Sequence, residues 1–101
     1  MLTEIFTASR LTEGNRFFPT SIEVTDTAVT RRKKSWLSRS EISIHLQRVA
    51  SVRINTGLVW SDILIESIGG GDPITSHGHT KRDAIRIKTL IEQAQTRQRT
   101  A

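Results

Sequence analysis

The chain has 101 residues, with 15 Lys and Arg against 10 Asp and Glu, a formal charge of +5, a pI near 10.8 and no cysteine. That length suits one domain, residues 1–101, with a single core and excludes an elaborate active-site superstructure. The missing cysteines exclude disulfides and thiolate chemistry, while the basic balance favours acidic partners without naming one. No stretch approaches the roughly 18 apolar residues of a transmembrane helix. The N-terminal MLTEIFTASR carries an acid where a secretory signal needs basic residues. A soluble, cytoplasmic protein is the expectation.

In chain order, residues 1–16 are the least readable. Leu2, Ile5 and Phe6 fit the start of a strand or a short helix, and Glu13-Gly14-Asn15 is a turn signal. Phe17 and Phe18 precede Pro19, and their rings are expected to pack in the core or at its rim rather than stack on bases. Ser21–Val24 alternates, Thr25-Asp26 turns, and Thr27–Thr30 resumes with β-formers. A short hairpin follows, with Ile22, Val24 and Val29 facing the core. Its second arm runs into Arg31-Arg32-Lys33-Lys34, then Ser35-Trp36-Leu37-Ser38-Arg39. Four adjacent cations repel one another, so this arm is expected to project or to end in a solvated loop.

Residues 41–66 carry the densest β signal. Ile42, Ile44 and Leu46 alternate with polar residues, as do Val52 and Ile54. The Asn55-Thr56-Gly57 turn leads into Val59–Glu66, where Ile63 and Ile65 share one face and Trp60, Asp62 and Leu64 the other. Gly69-Gly70-Gly71-Asp72-Pro73 is a flexible connection, and Ile74–His77 reads as a short strand closed by Gly78. Thr80-Lys81-Arg82-Asp83 has capping-box spacing with Asp in place of Glu. Ala84, Ile87, Leu90, Ile91 and Ala94 then form the apolar stripe of a helix of about four turns, and residues 96–101 read as a frayed polar tail. The fold class is mainly β with one C-terminal amphipathic helix plugging a closed or nearly closed barrel.

The runs IEVTDTAVTRR, EISIHLQRVASVRI and LVWSDILIE, then GGG and the DAIRIKTLIEQ helix, resemble the bacterial pleckstrin-homology-like domains over roughly residues 17–95. The resemblance implies two roughly orthogonal antiparallel sheets capped by the helix, a scaffold that serves many unrelated partners. It does not carry over a phosphoinositide site. The first hairpin loop, Thr25-Asp26-Thr27, is short and acidic, and the cations sit at the far end of the second arm.

Catalytic signatures are lacking. There is no G-x-S-x-G elbow, and the three histidines have no evident nucleophile partner. Asp62 and Glu66 lie about 13 Å apart along an extended strand, too far to act directly as an acid/base pair. His77, His79, Asp83 and Asp72 offer metal-donor types, but Asp83 is explained as a helix N-terminal residue. His45 is expected on the outer face of its strand. Gly69-Gly70-Gly71 lacks the ending of a phosphate-binding loop. No enzyme, cofactor, metal or small-molecule substrate is expected.

The remaining signal is a candidate interaction loop: Arg31, Arg32, Lys33, Lys34, Trp36, Leu37 and Arg39. A protein partner or self-association ranks first, since the scaffold supports it without a special site. An anionic membrane ranks second, through cations plus an interfacial Trp36. Nucleic acid ranks third, with Arg82, Arg86 and Lys88 assisting. The competing bland reading is a solvated face that keeps an edge strand from aggregating.

Overall fold

Alternating apolar residues lay the first half of the chain out as an antiparallel meander of β1 (Glu4–Thr7), β2 (Ser21–Val24), β3 (Ala28–Lys34) and β4 (Arg39–His45). A one-turn 3-10 helix, Leu46–Arg48, separates it from a second meander of β5 (Val49–Thr56), β6 (Trp60–Ser67) and β7 (Ile74–Thr80), which α1 (Lys81–Thr100) follows. This computed structural model describes residues 3–12, 15 and 17–100, the side chains of 98–100 excepted. The mainly β class with a C-terminal helix is as expected, but neither sheet closes into a barrel. Closure needs a ladder across every seam. Here the 3-10 turn interrupts the β4-to-β5 passage, and the β1 end meets β7 through the Ser9 N–H donating to the Gly78 carbonyl at 2.9 Å.

The core lies between the sheets and under the helix. Ile22 and Val29 from the first sheet, Ile63, Ile65 and Ile74 from the second, and Ile87 and Ile91 from α1 are all essentially inaccessible to water. Each such aliphatic contributes about 1.5–3 kcal/mol on burial. The sequence-predicted stripe from Ala84 to Ala94 is the buried face of α1. The Asp83 N–H donates to Thr80 Oγ1 at 3.1 Å, so Thr80 caps the helix as its spacing implies. Two polar ties fix α1 laterally. Gln95 Nε2 donates to the carbonyls of Leu46 and Val49 at 3.0 and 3.1 Å, and Arg86 pairs with Glu4 of β1 at 2.8 Å. The expected frayed tail is instead helical through Thr100, because TRQRT holds no Gly or Pro and includes the good helix formers Gln and Arg; Ala101 lies outside the described residues.

Three further boundaries depart from expectation. β3 does not break at its cations: it pairs with β4 through Lys34, opposite Arg39. Repulsion is relieved because Arg32 is bracketed by Glu23 at 3.2 Å and Glu41 at 2.9 Å on the outer face. β5 runs through Asn55 and Thr56, and the turn falls one step later, where the Gly57 N–H donates to the Trp60 carbonyl at 2.9 Å. β7 likewise continues past Gly78, with a bulge opposite the Ser61-Asp62 step. Gly78 has φ +90°, and a Cβ there would sit 2.2 Å from Thr12 Oγ1, so the segment before β2 crosses β7 at the one place without a side chain.

Asn15 anchors that crossing. Its Nδ2 donates to Thr12 Oγ1 and to the His77 carbonyl, both at 2.9 Å, and its Oδ1 accepts from the Thr20 N–H at 2.8 Å. The predicted turn at residues 13–15 is described only at Asn15, which is buried; Leu2, Glu13 and Gly14 lie outside the described residues. Residues 4–7 form a strand, with Phe6 inward and Ile5 outward.

Candidate interaction surface at the β3–β4 hairpin

Strand alternation divides the cation run. Arg31 lies opposite Ile22 in the ladder and so shares the core-facing side, and Lys33, two residues on, follows it. Arg32 and Lys34 point to the outer side, Arg32 already matched by two glutamates. The four cations are thus not one patch. Of the expected site, the structure brings together Lys34, Trp36, Leu37 and Arg39 at the exposed hairpin end and takes Arg31 and Lys33 elsewhere.

Hydrogen bonds stiffen the tip. The Ser35 N–H donates to the Ser38 carbonyl at 2.7 Å, the Ser38 N–H donates to Ser35 Oγ at 3.2 Å, and the two hydroxyls meet at 2.9 Å. This turn presents Trp36 at 77% exposure and Leu37 at 98%. The Trp36 ring stands edge-on to Phe18, centroids 5.0 Å apart at 85°, and tilts against Phe17 at 6.0 Å. Phe18 is half-buried at the rim whereas Phe17 is 63% exposed, so the expected packing holds only for Phe18, and both rings touch an indole that remains open to solvent.

Lys33 Nζ donates to the Phe18 carbonyl at 2.6 Å and to Asn15 Oδ1 at 3.4 Å. Burial, and secondarily the charge of Arg31, hold its ammonium below the usual lysine range. Both residues line a cavity of about 480 Å³ between the far half of β3, Asn15, Thr20 and the second sheet. The Arg31 Nε is shut off from solvent with no hydrogen-bond partner among the described residues.

The histidines diverge. His77 is exposed and contacts Asp62 through Nδ1. His79 is fully buried, its Nε2 2.6 Å from Ser76 Oγ, and burial lowers its pKa, only partly offset by Asp83. His45 is exposed, as expected, and its Nδ1 accepts from the Gln47 N–H at 3.3 Å, capping the 3-10 turn. Glu66 lies beside Ser51 and Arg53. Among the described residues no group of three or more His, Cys, Asp and Glu is placed to hold a metal ion, and no helix is long and apolar enough to cross a membrane. On the helix, Arg86 is engaged by Glu4, leaving the expected trio Arg82, Arg86 and Lys88 with one member already paired.

Two features escaped the sequence reading. Leu58 and Val59, 97% and 61% exposed, form a second apolar tip between β5 and β6. The signal was available, since a Gly57 turn followed directly by Leu and Val must expose what occupies its apex. Asn15 had no such signal, because its partners lie 3, 5, 18 and 62 residues away. Against this geometry, comparison with protein-family models, curated proteins and solved structures yields no match to the chain.

Proposed function

We propose that the chain is a non-catalytic, cytoplasmic binding module, a bacterial pleckstrin-homology-like domain that meets a protein partner or a second copy of itself through the β3–β4 tip. The order of four antiparallel strands, three antiparallel strands and a terminal helix supports the family reading. The observation that carries the interaction reading is Trp36, held edge-on by Phe18 beside an almost wholly exposed Leu37. An ordered aromatic at a hairpin apex loses little conformational freedom on docking and supplies the kind of anchor that dominates interfaces.

Membrane docking is the second reading. Lys34 and Arg39, paired in register just behind Trp36, place two cations where anionic headgroups would meet an inserted indole. Nucleic-acid binding ranks below both, because Arg32 and Arg86 are neutralised by glutamates.

The discriminating experiment compares Trp36→Ala with Leu37→Ala against the four-fold change of Arg31, Arg32, Lys33 and Lys34 to Gln. Light scattering, liposome flotation and oligonucleotide anisotropy are read at low and physiological salt. The aromatic double variant is expected to abolish the strongest association, and the glutamine variant to leave it largely intact. Loss in the glutamine variant alone, with steep salt dependence, would move an acidic polymer or membrane to first place.

A further inference from the structure

We propose that the cavity between β3 and the second sheet is an oxyanion site, binding a phosphate or carboxylate group through Arg31 and Lys33. Four observations converge on this chemistry, and none depends on the Trp36 tip.

First, Arg31 lines the cavity, and its Nε is removed from solvent and unpartnered among the described residues. A guanidinium donor in that state carries an uncompensated desolvation cost. An oxyanion in the cavity offsets it through its charge and through the two-pronged contact that a guanidinium offers to phosphate or carboxylate oxygens. Second, Arg31 and Lys33, two residues apart on β3 and so about 6.6 Å apart along one face, both line this cavity. Third, most of the other polar lining is neutral hydrogen-bonding surface, notably Asn15, Asn55, Thr75 and Ser76. Among the described residues the one carboxylate on the lining is Asp62, which His77 already contacts. Fourth, Lys33 is held below the usual lysine range by burial and by Arg31; the negative charge of a bound anion opposes that shift by favouring the ammonium form. The volume of about 480 Å³ exceeds a single phosphate or carboxylate. The cavity has room for the anion to be the head of a larger small molecule whose body meets amides and hydroxyls.

The test is an NMR titration of the full chain, reading backbone amides, the Asn15 and Asn55 side-chain amides and the Arg31 Nε–H. Inorganic phosphate, acetate and chloride are added in parallel at matched ionic strength. Saturable shifts at these groups in phosphate or acetate, absent in chloride, are expected, and the tighter of the two names the head group. Arg31→Gln should weaken binding about tenfold or more, from the loss of a charge-assisted bond. Lys34→Gln, one residue beyond Lys33 and on the outer face, should leave it unchanged, as should Trp36→Ala. Should Arg31→Gln lose the dispersed core resonances, Lys33→Gln takes its place. Equal shifts in all three salts, or unaltered affinity in a folded Arg31→Gln or Lys33→Gln variant, would overturn the proposal.

Discussion

The two ends of this sandwich are built on opposite terms. Beneath α1, Ile87 and Ile91 meet Ile63 and Ile65 in a packed apolar layer. Away from the helix, the sheets part around a polar cavity bordered by Arg31, Lys33, Asn55 and Thr75, near two apices that hold Trp36 and Leu58 in solvent. The difference separates labour: one end supplies most of the apolar cohesion, and the other, held by polar ties such as those of Asn15, presents polar chemistry.

The comparison breaks most directly at the packed end. Ile91→Ala should cost about 2–5 kcal/mol, through lost burial and a cavity the surroundings cannot fill, and Leu90→Ala, less deeply buried, should fall low in the same range. Denaturant melts decide it. A cost no larger than that of exposed Lys88→Ala would mean the helix is dispensable to the core. At the open end, Asn15→Ala should cost roughly 1–3 kcal/mol, because it strands the buried Thr20 N–H and removes the tie to the His77 carbonyl. A neutral result there would show that the crossing segment is held by other contacts. The smallest effect belongs to the tip. Trp36→Ala with Leu37→Ala should change stability by about 1 kcal/mol, since it removes only exposed ring contacts with Phe17 and Phe18. Unfolding of that variant would tie the tip to cohesion and dissolve the separation.

Legibility in the sequence follows the same division. The packed end was readable because burial imposes periodicity: Ile22 and Val24, Ile63 and Ile65, and the Ala84–Ala94 stripe all repeat at the spacing of their element. Thr80 as a cap was readable for a similarly local reason. The open end was not. The cation run looked like a single feature because sequence adjacency conceals the strand alternation that sends Arg31 and Lys33 one way and Arg32 and Lys34 the other. Whether β3 would survive those charges depended on Glu23 and Glu41, each nine residues from Arg32 along the chain. Sheet closure was misjudged for the same reason, since alternation identifies strands and not whether their outer edges meet.

Gly78 acts as a phase shifter for everything downstream. Up to that point β7 alternates with Ile74 and Ser76 inward; the extra residue of the bulge then places Gly78 and His79 inward in succession and turns Thr80 outward. A half-period is thus inserted immediately ahead of the helix cap. Whether the apolar stripe of α1 enters over the core or rotates toward solvent is therefore decided before its first turn, by a one-residue count in the strand that delivers it.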